Sequence, residues 1–171
     1  MVKRLFLLLL ALVFTLCVSG CGIDSEEALI REIIEMREIP EGSSGEVIHQ
    51  EQEGDYERML VLFHGGTYLE DRVCMARVGD GTVGNFTGPW LASVTALREL
   101  DDGFIEYSSG SSYLLVVTNP EAARMTLTDL RGYGTDEEIT SLPFVYEIPG
   151  AYRGVYVCRV LDAEGNVLYE R

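Results

Sequence analysis

Cysteine and histidine are the side chains best able to do chemistry here, and the chain has 4 cysteines and 2 histidines. Cys74 and Cys158 lie in apolar strand-like runs, Val73-Cys74-Met75-Ala76 and Val157-Cys158-Arg159-Val160. Outside the cytoplasm they can pair. They stand 84 positions apart, and a bridge over so long a loop adds about 3–5 kcal/mol on the chain-entropy model. The other reading is two separate buried thiols that behave as small hydrophobes. Two isolated cysteines with no adjacent histidine do not make a zinc ligand set. A catalytic pair of either cysteine with His64 would need an electropositive setting for the thiolate. The chain is acidic, with Lys+Arg 13 against Asp+Glu 28 and a net charge of -15. His49 falls in a polar strand and reads as a surface imidazole. His64-Gly65-Gly66 is like part of an oxyanion-hole loop, but no Gly-x-Ser-x-Gly accompanies it, so it reads as a turn. No His-Glu-x-x-His occurs.

Carboxylates offer two further chemistries. Asp101-Asp102 and Asp136-Glu137-Glu138 could hold calcium in an extracellular setting, although turn and cap roles are more frequent for such residues. Asp162-Ala163-Glu164-Gly165-Asn166 lacks the spacing and the closing Glu of a calcium loop. A carboxylate pair could hydrolyse a wall glycan, a reaction decided by the separation of the two groups in space. Gly132-Tyr133-Gly134 lacks the third Gly and the strand–helix frame of a dinucleotide site, and reads as a loop. Asn85-Phe86-Thr87 is a glycosylation sequon by pattern only. Trp90, Tyr133 and Tyr152 would form a contact patch if exposed, and apolar core if buried. Tyr152, next to Arg153 in a turn, is expected to be exposed.

These residues must be positioned by a largely β framework. Residues 24–38 carry an apolar stripe of Leu29, Ile33 and Met36 at helical spacing, with Asp24 as the expected N-cap and Pro40 as the stop. Strands are expected from residue 46 onward. Val47 to Gln52 reads as a polar edge strand. Met59 to Phe63 and Tyr113 to Thr118 are apolar on both faces, the mark of central strands. Gly79-Asp80-Gly81 and Asp162 to Asn166 are hairpin signals. Residues 91–100 read equally as strand or short helix. Ser108-Ser109-Gly110-Ser111-Ser112 is the best internal boundary. The expected fold is mainly β (α+β): an N-terminal helix, then antiparallel strands in a small sandwich or barrel. It forms one domain or two small β units, a helix-plus-meander region at 24–107 and a sandwich-like region at 108–171.

The first residues read as an address rather than as structure. Lys3 and Arg4 precede an apolar run from Leu5 to Leu16, too short to span a bilayer comfortably, and Val18-Ser19-Gly20-Cys21 follows. This tetrapeptide resembles the lipobox of bacterial lipoproteins. The resemblance implies a signal peptide at 1–20, cleavage before Cys21, diacylglycerol on the Cys21 thiol, and a short lipidated N-terminus at 21–23. The closing strand–turn–strand, with Asp162 to Asn166 between, resembles the last hairpin of immunoglobulin-like modules in bacterial surface proteins. The whole arrangement is similar to small uncharacterised lipoproteins of Gram-positive bacteria, a group that brings no activity with it.

At 171 residues and 47% hydrophobic, the chain can bury a core. Its negative charge excludes a nucleic-acid binder held by phosphate contacts. Removal of Lys3 and Arg4 leaves 11 basic against 28 acidic side chains, a charge of -17. Anionic lipid and wall polymers would repel such a surface. The expected protein therefore stands off the outer face of the cell membrane, held by its lipid. There it serves as a non-enzymatic binding or accessory module for an envelope protein or wall component. The expected cofactor set is empty apart from the lipid, with calcium as the one ion considered. An envelope hydrolase with a carboxylate or Cys–His pair, and a calcium-dependent adhesion module, are the alternatives.

Overall fold

The computed structural model describes residues 23–83, 86–109, 112–148 and 156–171. Its one described α-helix, α1 (Glu26–Arg37), starts one residue later than the Asp24 cap predicts. Ser25 is the N-cap, and its hydroxyl accepts the Ala28 N–H at 3.2 Å. Both residues are good caps by type, and it is Ser25 that holds the extended backbone of a cap. The helix buries Ala28, Leu29 and Ile33. Glu26 and Glu27 at the first turn and Arg37 at the last complement the helix dipole. The helix ends at Glu38, which takes the left-handed conformation (φ 51) while the following Ile39 N–H reaches back to the Ile34 carbonyl.

Among the described residues fourteen strands follow: β1 (Ser43–Glu53), β2 (Tyr56–Gly65), β3 (Arg72–Gly79), β4 (Thr82–Val83), β5 (Phe86–Thr87), β6 (Trp90–Val94) and β7 (Arg98–Glu99), then β8 (Phe104–Ser109), β9 (Ser112–Val117), β10 (Arg124–Asp129), β11 (Gly134–Glu138), β12 (Phe144–Ile148), β13 (Tyr156–Leu161) and β14 (Val167–Glu170). The first sheet runs β1-β2-β3-β6, with β7 also paired to β3. A middle sheet runs β12-β9-β8, and a third runs β11-β10-β13-β14. β4 and β5 form a separate small hairpin between β3 and β6. Neighbouring strands are antiparallel. The ambiguous run at 91–100 is strand, in β6 and β7.

Alternation along the strands stacks these sheets. In β2 and β3, Val61, Phe63, Cys74, Ala76 and Val78 face α1 and pack with Leu29 and Ile33. The residues between them, Leu60, Leu62, Val73 and Met75, face the middle sheet and meet Ile105, Tyr107, Leu114 and Val116. The other face of the middle sheet, with Phe104, Leu115 and Val117, packs on Met125, Leu127, Cys158 and Val160 of the third sheet. The order of layers is helix, sheet, sheet, sheet. β9 is buried on both sides, and Leu114 to Val117 are all fully inaccessible. The fold is mainly β and sandwich-like, and among the described residues no sheet closes into a barrel. The Ser108–Ser112 run, expected as the internal boundary, is the place where β8 turns back onto β9, with Ser109 opposite Ser112. Two cores meet on that hairpin from opposite sides.

Candidate functional site

Ile23 stands at the start of the described residues. Its side chain is buried, and its N–H donates to the Pro89 carbonyl at 2.9 Å. Pro89 joins the β4–β5 hairpin to β6. Cys21 and the lipobox lie outside the described residues. Beside Ile23 a groove of about 350 Å³ opens between α1 and the first sheet, lined by Ser25, Glu26, Val47, Glu57 and Pro89 among others. Glu26 crosses it to accept the Val47 N–H at 3.0 Å.

Cys74 and Cys158 are both free thiols with no accessible surface. Cys74 faces α1, whereas Cys158 lies between the middle and third sheets, so the middle sheet separates them. The bridge weighed from the sequence does not form: strand membership brought both inside, but into different layers. Burial pushes each thiol up to about 12. Arg37 partly opposes this at Cys74; at Cys158 the Glu106 carboxylate adds to it and Arg171 opposes. A thiol so held stays protonated and is a poor nucleophile. His64 lies an odd number of positions from Val61, the residue paired with Cys74, so it belongs to the opposite face of β2. No Cys74–His64 pair is assembled. His49 follows a bulge in β1, and its Nε2 is buried with no hydrogen-bond partner in the structure.

Of the aromatic residues proposed as a contact patch, Tyr133 is open to solvent, at 72%. Trp90 is half-buried. It meets Tyr56 edge-on at 6.3 Å, and its ring covers Gly79, where a Cβ would come within 2.8 Å. Tyr152 lies outside the described residues. Tyr133 has instead a neighbour that sequence reasoning missed, Leu130, 80% exposed. Both lie on the tight β10–β11 hairpin. Asp129 locks its backbone: Oδ1 accepts the N–H groups of Arg131 (2.8 Å) and Tyr133 (3.0 Å). The Asp129 N–H reaches the Tyr133 carbonyl at 2.8 Å, and Gly132 supplies the positive φ (81) that the turn needs. The tip leads directly into β11, an edge strand of exposed Asp136, Glu137 and Glu138.

The acidic segments considered for calcium converge in part. Asp136 and Glu138 of β11 and Asp162 and Glu164 of the β13–β14 loop line one open groove of about 560 Å³. Two of the four carboxylates are already engaged. Asp136 faces Arg124 at 3.6 Å, and Asp162 accepts both the Asn166 N–H and its side-chain amide at 2.7 Å. The Asn166 side-chain bond leads the causes that hold the Asp162 carboxyl below its ordinary range. Asp101-Asp102 forms a separate turn, closed by Phe104.

The most unusual side chain is one the sequence reading passed over. Glu106 points from β8 toward the third sheet, with its side chain 3% exposed. Oε2 accepts from the Tyr156 hydroxyl at 3.0 Å and from the Arg171 guanidinium, while Oε1 has no partner in the structure. Burial, followed by this carboxylate, pushes Tyr169 up to about 12 and Tyr156 further still. Two tyrosines and one arginine thus enclose a single carboxylate, an arrangement that neutralises it and ties β8 to β13 and β14. The signal was present in Phe104-Ile105-Glu106-Tyr107, an acid on the same strand face as a buried Phe. No known protein family, no curated protein and no solved structure matches the chain.

Proposed function

We propose that this chain is a lipoprotein, anchored through Cys21 at the outer face of the cell membrane, and that it works as a binding or accessory module of the envelope. The β10–β11 hairpin is its contact surface. The observation that carries this reading is the pair of exposed apolar side chains, Leu130 and Tyr133, on a turn locked by Asp129. A rigid tip holds its apolar groups ready for contact at little entropic cost on binding. The acidic strand beside it suits a partner with a basic and partly apolar surface, an envelope protein or a cationic wall component.

Anchoring is tested by Cys21→Ala, which should move the protein from the membrane fraction to the medium or soluble extract. Contact is tested in cells with a photo-crosslinking residue at 130 or 133, and with Leu69, fully exposed on the β2–β3 loop, as the control position. Adducts from 130 and 133 that map to a Lys/Arg-rich partner segment, with none from 69, support the reading. Equal adducts from all three positions overturn it. A second reading, calcium-dependent adhesion, draws on the groove between β11 and the β13–β14 loop. A calcium-specific rise in unfolding temperature, abolished by Glu138→Gln with Glu164→Gln, would promote it.

A further inference from the structure

We propose that the β4–β5 hairpin and its base at Ile23 and Pro89 form the face that this domain lays on the lipid bilayer, so that the molecule sits flush with neutral headgroups instead of standing off on a tether. This rests on the reading of Cys21 as the lipid anchor.

The length of chain outside the structure is the first argument. Ile23 is already buried and bonded to Pro89, only two positions beyond Cys21. Two residues reach at most about 7 Å. The lipid attachment and the base of the hairpin are therefore neighbours, and no slack remains for a stand-off. The hairpin closes where the Gly88 N–H meets the Gly81 carbonyl at 2.7 Å, so β4 and β5 project from that same point.

Charge is the second argument. From Gly81 to Leu97 the chain has 17 consecutive residues without a charged side chain, although 24% of all residues are charged. The hairpin lies wholly within this run. Thr82, Val83, Thr87 and Pro89 are exposed on it, Val83 at 48%. A protein this acidic is repelled from an anionic surface elsewhere. The segment next to its anchor is the one that can approach a bilayer without bringing charge. Asp24, Glu26 and Glu57 in the groove beside Ile23 and Pro89, with Asp55 and Asp80, border the face, and the Asp80 N–H meets the Asp55 carbonyl at 3.5 Å. This rim limits the contact to the headgroup layer and selects neutral over anionic lipid.

The first sheet supplies an internal control. Tyr56 pairs with Gly79 and Phe63 with Arg72, so the hairpin and the β2–β3 loop lie at opposite ends of β3. Eight residues of strand separate them by about 25 Å. Leu69, on that loop, should therefore stay in water.

The experiment uses the full-length, lipid-modified protein in phosphatidylcholine vesicles. An environment-sensitive fluorophore is attached at Val83→Cys or at Leu69→Cys, and a quencher is carried on the lipid headgroups. Cys74 and Cys158 are buried and do not compete for label. The expected result is a blue-shifted, quenched label at 83 and an unquenched, water-like label at 69. Exchange of part of the lipid for phosphatidylglycerol should weaken quenching at 83, and so should a flexible insert placed between residues 22 and 23. If the protein floats with the vesicles but labels at 83 and 69 behave alike, the flush placement is overturned while the anchor stands. If mature protein lacks the acyl mass and does not float, the anchor itself fails and this proposal falls with it.

Discussion

Leu115→Ala tests the stacking of the layers most directly. Leu115 is fully buried in β9 and faces the third sheet among Met125, Leu127, Cys158 and Val160. Truncation of a buried leucine to alanine costs about 2–5 kcal/mol, set by how far the site can collapse. Collapse is restricted here, because β9 is held from behind by Leu114 and Val116 packed on the first sheet. The upper half of that range is therefore expected. For a domain of this length 1 kcal/mol moves the unfolding midpoint by about 3 °C, so the shift should be about 10–15 °C. The chain has 1 tryptophan, Trp90, and it lies in the first sheet, on the far side of the middle sheet from the altered site. Its fluorescence therefore reports a layer that the substitution does not touch. Circular dichroism reports all the strands. If the layers unfold as one cooperative unit, both signals shift together in a single transition. A Trp90 midpoint that stays at the wild-type value, beside a lowered dichroism midpoint, would show two independent units and refute the argument.

Three further outcomes follow from individual contacts. Alkali should destabilise the protein from about pH 9 upward: Cys74 and Cys158 ionise near 9 when unfolded but near 12 when folded, so the unfolded chain loses protons first. Tyr169, also raised to about 12, adds to the slope above pH 10; a urea midpoint that stays flat to pH 11 would contradict this. Ser25→Ala should cost about 1 kcal/mol by loss of the cap bond to Ala28, and Asp24→Ala markedly less, both measured by urea unfolding. Leu130→Ala with Tyr133→Ala should change stability by no more than about 0.5 kcal/mol, because both side chains are solvent-exposed, yet should remove the partner adducts seen in cells.

The sequence reading succeeded where a face of an element is recorded in the residues themselves. Met59 to Phe63 and, within the run from Tyr113 to Thr118, Leu114 to Val117 are unbroken apolar stretches, and both lie in strands covered on two sides. Of the α1 stripe, Leu29 and Ile33 are buried as expected, whereas Met36, in the last turn, is 50% exposed. Alternation tells which residues share a face, but not what that face meets. That is why Cys74 and Cys158 could be placed in strands and still not be assigned to different layers. It is also why Ser108 to Ser112 read as a boundary: small residues mark a loop, and a loop inside a hairpin has the composition of a linker. Trp90 is half-buried rather than open for a related reason. An aromatic ring carries no sign of which neighbour is a glycine, and Gly79 stands opposite it across β3 and β6. Glu106 was legible and missed, since it shares the Phe104 face.

The middle sheet explains why the features open to a partner lie at the periphery. Both of its faces are consumed by packing, with Leu114 and Val116 toward one neighbour and Leu115 and Val117 toward the other. Such a sheet is a coupler. The proposed membrane face lies on the hairpin that joins β3 to β6 of the first sheet and the exposed hairpin tip on the third, and β8 and β9 lie between those two sheets. Glu106 strengthens the outer joint, because Tyr156 and Arg171 of the third sheet converge on its carboxylate. Only the carboxylate of this ion pair is buried, the Arg171 side chain being 58% exposed, so the pair is weak support for stability but can enforce one arrangement over near alternatives. At this place it would hold the third sheet in register on the middle one. Glu106→Leu should therefore leave the unfolding midpoint close to wild type while it loosens that joint. The expected signature is faster hydrogen exchange in β13 and β14 with β2 and β3 unchanged, and equal exchange in all four strands would refute the coupling role.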